Sequence, residues 1–141
     1  MKPIGYWLNR TDKALTRYMN GMLGEFGLTR ITWQVLNVIR DTPEVTDAEV
    51  LSALAVNSDN PTLTAAIDTV LIDGWATRPA PDRLAVIPDG CQRLATVAKR
   101  VDAFRELSMT GIAADEYRTA VSVLERMTRN LETATGVDHT P

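Results

Sequence analysis

Histidine and cysteine are almost missing from this 141-residue chain, which holds one of each, His139 and Cys91. A lone cysteine excludes an internal disulfide framework and any multi-cysteine zinc site. The one histidine sits in a Thr/Gly/Pro-containing tail that is expected to fray. A catalytic triad therefore has no internal base, and no His/Cys cluster is available for a metal. No phosphate-cradling loop or nucleophile–base pair can be read either, so the chain is not expected to be an enzyme or to need a cofactor. Long apolar runs are absent too, and no segment is expected to span a bilayer. Lys2, Arg10, Lys13 and Arg17 interrupt the first twenty residues, which lack the continuous apolar core of a signal peptide. A cytoplasmic location is the expectation.

A further absence is local. Between Asp41 and Thr77 there is no Lys or Arg, but there are seven acids: Asp41, Glu44, Asp47, Glu49, Asp59, Asp68 and Asp73. All 15 basic residues lie outside that window, and the chain carries a net charge of −3.

The composition is otherwise that of one globular domain over 1–141, 45% hydrophobic and 23% charged. Residues 5–26 place Leu8, Leu15, Tyr18, Met19, Met22, Leu23 and Phe26 at helical spacing, ahead of a glycine cap at Gly27. Thr29 reads as the N-cap of a second helix over 30–41, with Trp33, Leu36 and Ile39 on one face and a stop ahead of Pro43. Thr46-Asp47-Ala48-Glu49 is a capping box that opens a third helix carrying Val50, Leu51 and Leu54 inward. Asn60 followed by Pro61 reads as N-cap and first helical residue of a fourth, with Leu63, Ala66, Ile67, Val70 and Leu71 buried and Gly74 ending it. Trp75–Arg78 and Arg83–Ile87 form a short hairpin. Pro88-Asp89-Gly90 opens a fifth helix to about residue 108, with Leu94, Val97, Ala98, Val101 and Phe104 on one face. A last helix over 114–133 is expected to bury Tyr117, Ala120, Val121, Leu124, Met127 and Leu131.

This order gives the fold class: mainly α with a small β-hairpin wing, a winged helix-turn-helix flanked by long dimerisation helices. It points to a DNA-binding regulator. Three motifs then carry a family resemblance. Gly27-Leu28-Thr29 with Trp33 and Val35-Leu36, Gly74-Trp75-Ala76-Thr77-Arg78, and Val86-Ile87-Pro88-Asp89-Gly90 resemble the MarR family of bacterial transcription regulators at its helix-turn-helix entry, its wing exit and its return into the long helix. The resemblance runs from residue 5 to about 133. It implies a homodimer joined by helices 5–26 and 88–133, a reading lobe over 28–87, a recognition helix over 60–72 and a wing over 75–87. The partner it implies is a pseudo-palindromic double-stranded DNA, and the acidic window makes the expected binding weak and salt-sensitive. The family's cavity between dimer helices and lobe takes phenolic or aromatic molecules, and Tyr6, Trp7, Arg10, Tyr18 and Trp33 are the candidates to line it. Plain core or interface packing is the competing reading of these aromatics.

Two departures stand out. Asp82-Arg83 matches the family's wing element, but the hairpin is about four residues short. Ile87 replaces the family's threonine cap, leaving Asp89 to supply charge there.

The candidate DNA contacts follow. Arg30 and Arg40 on the second helix, with Arg78 and Arg83 on the wing, are the basic side chains nearest the acidic window. On the fourth helix Asn60 can pair with adenine, Thr62 and Thr64 can touch a thymine methyl, and Asp68 can accept from cytosine N4. Backbone N–H groups around Thr62 and Leu63 offer a grip on phosphate. The acids of the window are equally read as cap and solvent residues, but their summed field opposes phosphate. A rival function therefore stands beside the first: a winged-helix interaction protein that binds a basic partner through its acidic 41–77 face. Cys91, in the first turn of the fifth helix, is either a small packing residue or a redox-responsive thiol.

Overall fold

The computed structural model describes residues 1–136, so His139 lies outside the described residues. The chain forms two compact units, Met1–Phe104 and a second that begins at Arg105. The elements in order are α1 (Ile4–Leu23), a single 3-10 turn (Gly24–Phe26), α2 (Arg30–Asp41), α3 (Asp47–Ala53), α4 (Asn60–Ile72), β1 (Ala76–Thr77), β2 (Ala85–Val86), α5 (Pro88–Ser108) and α6 (Ala114–Ala134).

Local chemistry accounts for most of these boundaries. The chain leaves α1 through the 3-10 turn, and Gly27 at φ 72° takes the left-handed conformation that a side chain resists. Thr29 caps α2: its hydroxyl accepts from the Thr32 N–H at 3.3 Å, while the Thr32 hydroxyl accepts from the Thr29 N–H at 2.8 Å. Ahead of Pro43, Thr42 has already turned extended at φ −124°, ψ 94°. Thr46 and Glu49 close the reciprocal box at α3, with bonds of 3.0 and 3.1 Å.

The start of α4 corrects the sequence reading. Asp59, not Asn60, is the N-cap, accepting from the Thr62 N–H at 2.8 Å; Asn60 is the first helical residue and Pro61 the second. The physical reason is that proline suits either early position, since neither N–H there has an intrahelical acceptor. The choice then falls to whichever cap-forming side chain reaches the third N–H.

The core of the first unit is built from Leu23 on α1, Val35 and Leu36 on α2, Val50 on α3, Leu63 and Ile67 on α4, Trp75 and Leu84 at the hairpin, and Leu94 and Val97 on α5. Helices α2, α3 and α4 pack on one another as a helix-turn-helix, and β2 lies against α2. The hairpin is antiparallel, pairing Ala76 with Val86 and Thr77 with Ala85. A third piece of backbone joins it. The Leu84 N–H donates to the Val45 carbonyl at 2.9 Å, and Thr46 bridges antiparallel to Arg83. The connection between α2 and α3 thus pairs with Arg83 and Leu84, the two residues that lead into β2. Within that connection Glu44 has φ 56°, and its carbonyl accepts from the Arg83 guanidinium at 3.1 Å.

In the second unit Glu116 accepts from the Ala113 N–H at 2.9 Å at the start of α6. The helix has the expected span, but its apolar stripe is not buried among the described residues. Tyr117, Ala120, Val121 and Leu131 are exposed, and Leu124 and Met127 are half-buried. Helical periodicity identifies a face, and burial then depends on what covers it.

Candidate nucleic-acid interface

Helix α4 presents two faces. Leu63, Ala66, Ile67 and Val70 point into the core, and Leu71 is half-buried. Asn60, Thr64 and Asp68 recur every four residues and so share one stripe, and all three are exposed; Thr62 is exposed beside them. The burial of one face fixes the orientation of the other, so these polar groups are held on a rigid element.

Two expected phosphate contacts are changed by this geometry. The backbone donors at the α4 N-terminus are already engaged: Thr62 N–H by the Asp59 carboxylate at 2.8 Å, and Leu63 N–H by the Asp59 carbonyl at 3.0 Å. A carboxylate occupies the place where a helix N-terminus would hold an anion.

The four flanking arginines are all held by the chain itself. Arg30 reaches back to α1, donating to Asp12 at 3.1 Å and to the Thr16 hydroxyl at 2.8 Å. Arg40 pairs with its neighbour Asp41 at 3.0 Å. Arg78 meets Asp47 side-on, with bonds of 2.7 and 2.8 Å to the two carboxylate oxygens. Arg83 holds the Glu44 carbonyl and lies 3.8 Å from Asp82. From sequence, Asp47 and Asp59 both read as cap or solvent residues. Asp59 is a cap, whereas Asp47 is the partner of the wing arginine.

These contacts move the carboxyls. Hydrogen bonds from Arg78 hold Asp47 below its ordinary value. The Thr46 N–H and hydroxyl do the same for Glu49, and hydrogen bonds from Thr62 for Asp59. A carboxyl with a depressed folded value contributes stability above its unfolded value, near pH 4, and loses it as pH falls through the folded one. The urea midpoint is therefore expected to stay level from pH 7 to about pH 5 and to fall below about pH 4. Asp59→Ser keeps a cap that does not titrate and should fall less steeply. Superimposable midpoint curves for parent and variant would show that the Asp59 cap plays no part.

The five residues expected to line one ligand pocket do not meet within the chain. Trp33 is a core residue at 6% exposure. Tyr6 and Trp7 form an edge-to-face pair on the N-terminal part of α1, and Arg10 donates to the Tyr6 hydroxyl at 2.9 Å. Tyr18 is twelve residues further along the same helix, about 18 Å away at 1.5 Å per residue. It stacks instead on Phe104 of α5, with centroids 5.0 Å apart. Around that stack lies an open cleft of about 380 Å³, lined also by Arg17, Met22, Glu25 and Arg100. Glu25 and Arg100 are paired at 2.8 Å. The placing of Phe104 and Arg100 beside Tyr18 is not legible in the sequence, because nothing in the local pattern ties them to α1. Cys91 is exposed in the first turn of α5.

No protein-family model matches this chain, and no curated protein matches it either. Solved structures do resemble it. The reduced form of MarR from E. coli is 24% identical with a TM-score of 0.69, covering 90% of this chain and 97% of that one. The transcriptional regulator PA3341 is 24% identical with a TM-score of 0.76, covering 93% and 99%. The Mycobacterium tuberculosis MarR family protein Rv2887, in complex with p-aminosalicylic acid, is 21% identical with a TM-score of 0.66, covering 90% and 99%.

Proposed function

From a chain with the MarR-type winged-helix fold, we propose a homodimeric, cytoplasmic DNA-binding transcription regulator whose lobe spacing is tuned by a small aromatic ligand. The observation that carries this reading is the exposed stripe Asn60, Thr64 and Asp68 on a helix locked between α3 and the hairpin. In a major groove Asn60 would read adenine, Thr64 a thymine methyl and Asp68 cytosine N4. The helices over 5–26 and 88–133 would join two copies, each presenting a 28–87 lobe. The uncovered stripe of α6 supports that arrangement, since Tyr117, Val121 and Leu131 need an apolar partner to leave water. The p-aminosalicylic acid in the Rv2887 complex supports an aromatic acid as ligand class. In this chain the Tyr18–Phe104 cleft offers a ring to stack on, and Arg17 and Arg100 offer positive charge.

Fluorescence anisotropy tests the reading, with duplex from upstream of the protein's own gene against random duplex, at low and near-physiological salt. Specific binding that survives the higher salt is the expected result. Asn60→Ala and Thr64→Ala should relax sequence preference, whereas Arg83→Ala should weaken all duplexes alike. Equal losses on specific and random DNA for all three variants would overturn those roles.

A second reading is favoured by one observation. Each of the four flanking arginines is engaged, and Asp59 closes the α4 N-terminus, so the cations beside the acidic window are already committed within the chain. Such a lobe would suit a basic protein surface. No duplex shift at low salt, together with salt-sensitive binding of a lysine-rich peptide, would select this reading over the first.

A further inference from the structure

Arg78 directly follows β1, and its guanidinium meets Asp47 through two parallel bonds of 2.7 and 2.8 Å. That fork is also the one a guanidinium offers to two oxygens of a phosphate, so carboxylate and phosphate compete for the same donors. Capping does not require the Asp47 carboxylate, because Thr46 and Glu49 already close the α3 N-terminus. Both partners remain reachable from solvent, with side chains 33% and 36% exposed. The pair spans 31 positions and ties the start of the wing loop to α3. A third contact, from Arg78 to the Pro81 carbonyl at 3.4 Å, links the guanidinium to the wing loop as well.

We propose that the Asp47–Arg78 pair is an intramolecular clamp on nucleic-acid affinity: closed, it withholds one phosphate contact per lobe, and open, it supplies that contact. The proposal rests on the DNA-binding reading above. It also accounts for how a lobe with seven acids and no base between Asp41 and Thr77 can engage DNA at all. The missing cation is present at the window's edge and neutralised by one of the window's own acids. Mobile ions weaken the closed pair as well as the phosphate contact, so salt acts on the parent in two opposing directions.

The test is the salt dependence of duplex affinity, between about 50 and about 200 mM, for the parent, Asp47→Asn, Arg78→Gln and the double variant. Asp47→Asn keeps the side-chain size and removes the competing charge. It should bind more tightly than the parent at the lowest salt. Its plot of log affinity against log salt should steepen by about 0.9 per lobe, the value of one added phosphate contact. The double variant should lose both effects, because the released group is Arg78. Asp47→Ser, with the same charge change and a different shape, guards against a local packing fault, and circular dichroism melts check folding of each. A parent that binds DNA beside an Asp47→Asn protein with equal or weaker affinity and an unchanged slope overturns the clamp alone. Absence of duplex binding by the parent and every variant overturns the clamp together with the DNA-binding reading.

Discussion

Trp75→Ala is expected to lower the unfolding free energy by about 3–5 kcal/mol, the range for removing a large buried aromatic side chain. The indole is 2% exposed and is the largest of the fully buried side chains. The Arg93 guanidinium lies 3.7 Å from its ring centroid, which adds a cation–π contact to the packing. Its backbone is tied on both sides: the N–H donates to the Val70 carbonyl at 3.0 Å, and the carbonyl accepts from the Ile87 N–H at 3.1 Å. These bonds survive the substitution, so the loss comes from the ring. The residue joins the end of α4, the first strand of the wing and the start of α5. A cavity there loosens the angle between α4 and the hairpin, so under the proposed DNA-binding function duplex affinity should fall along with stability. Urea unfolding followed by circular dichroism measures the first effect, and anisotropy under conditions where the variant is folded measures the second. Trp75→Phe should keep more than half of the stability, because an aromatic ring remains to fill the site. A Trp75→Ala midpoint within experimental error of the parent would show that the ring does not hold these elements together.

Gly90→Ala should destabilise by about 1–2 kcal/mol, and the sign is decided by two opposing terms. Gly90 sits in the first turn of α5, where alanine is intrinsically better by about 1 kcal/mol in a helix interior and by less near an end. Against this, a Cβ would lie 2.8 Å from the Trp75 carbonyl oxygen, 3.0 Å from Val86 and 3.2 Å from Ile87. The two side chains can yield a little. The carbonyl cannot, because it is the acceptor for Ile87 and follows a buried indole. Overpacking against fixed backbone costs about 1–3 kcal/mol and exceeds the propensity gain. A rise in the urea midpoint would mean that the first turn of α5 moves freely relative to the hairpin. The effects of Gly90→Ala and Trp75→Ala should be non-additive, since loss of the buried indole leaves the Trp75 carbonyl that the new Cβ meets freer to yield.

The sequence was informative wherever structure is decided within about four residues. Thr29 and Pro43 fix both ends of α2, observed as Arg30–Asp41, and Thr46 with Glu49 fixes the start of α3. Pro88 likewise opens α5. Asp59 and Asn60 are adjacent and equally able to cap, and only the path of the backbone selects between them. The acids of the 41–77 window were visible by count, but their partners were not. Asp47 meets Arg78 across 31 positions, and Glu25 meets Arg100 across 75. Such pairs are products of tertiary packing and leave no local trace. The tight approach of Gly90 to Trp75 is hidden for the same reason, because a glycine after proline and aspartate already has a sufficient local explanation in the start of the helix.

The pairing of the α2–α3 connection with the residues that lead into β2 bears on behaviour at high concentration. Sheet edges with unpaired N–H and C=O groups are the usual template for strand-to-strand aggregation. Here β2 is paired with β1, and Arg83 and Leu84 just ahead of it are paired with Thr46 and Val45. The outer edge of β1 is only two residues long and is followed by Pro79 and Pro81, neither of which has an N–H to donate. Crowded protein therefore finds little strand to extend in this wing. Association on concentration should preserve helical circular dichroism and be reversed by dilution, without thioflavin-positive fibres.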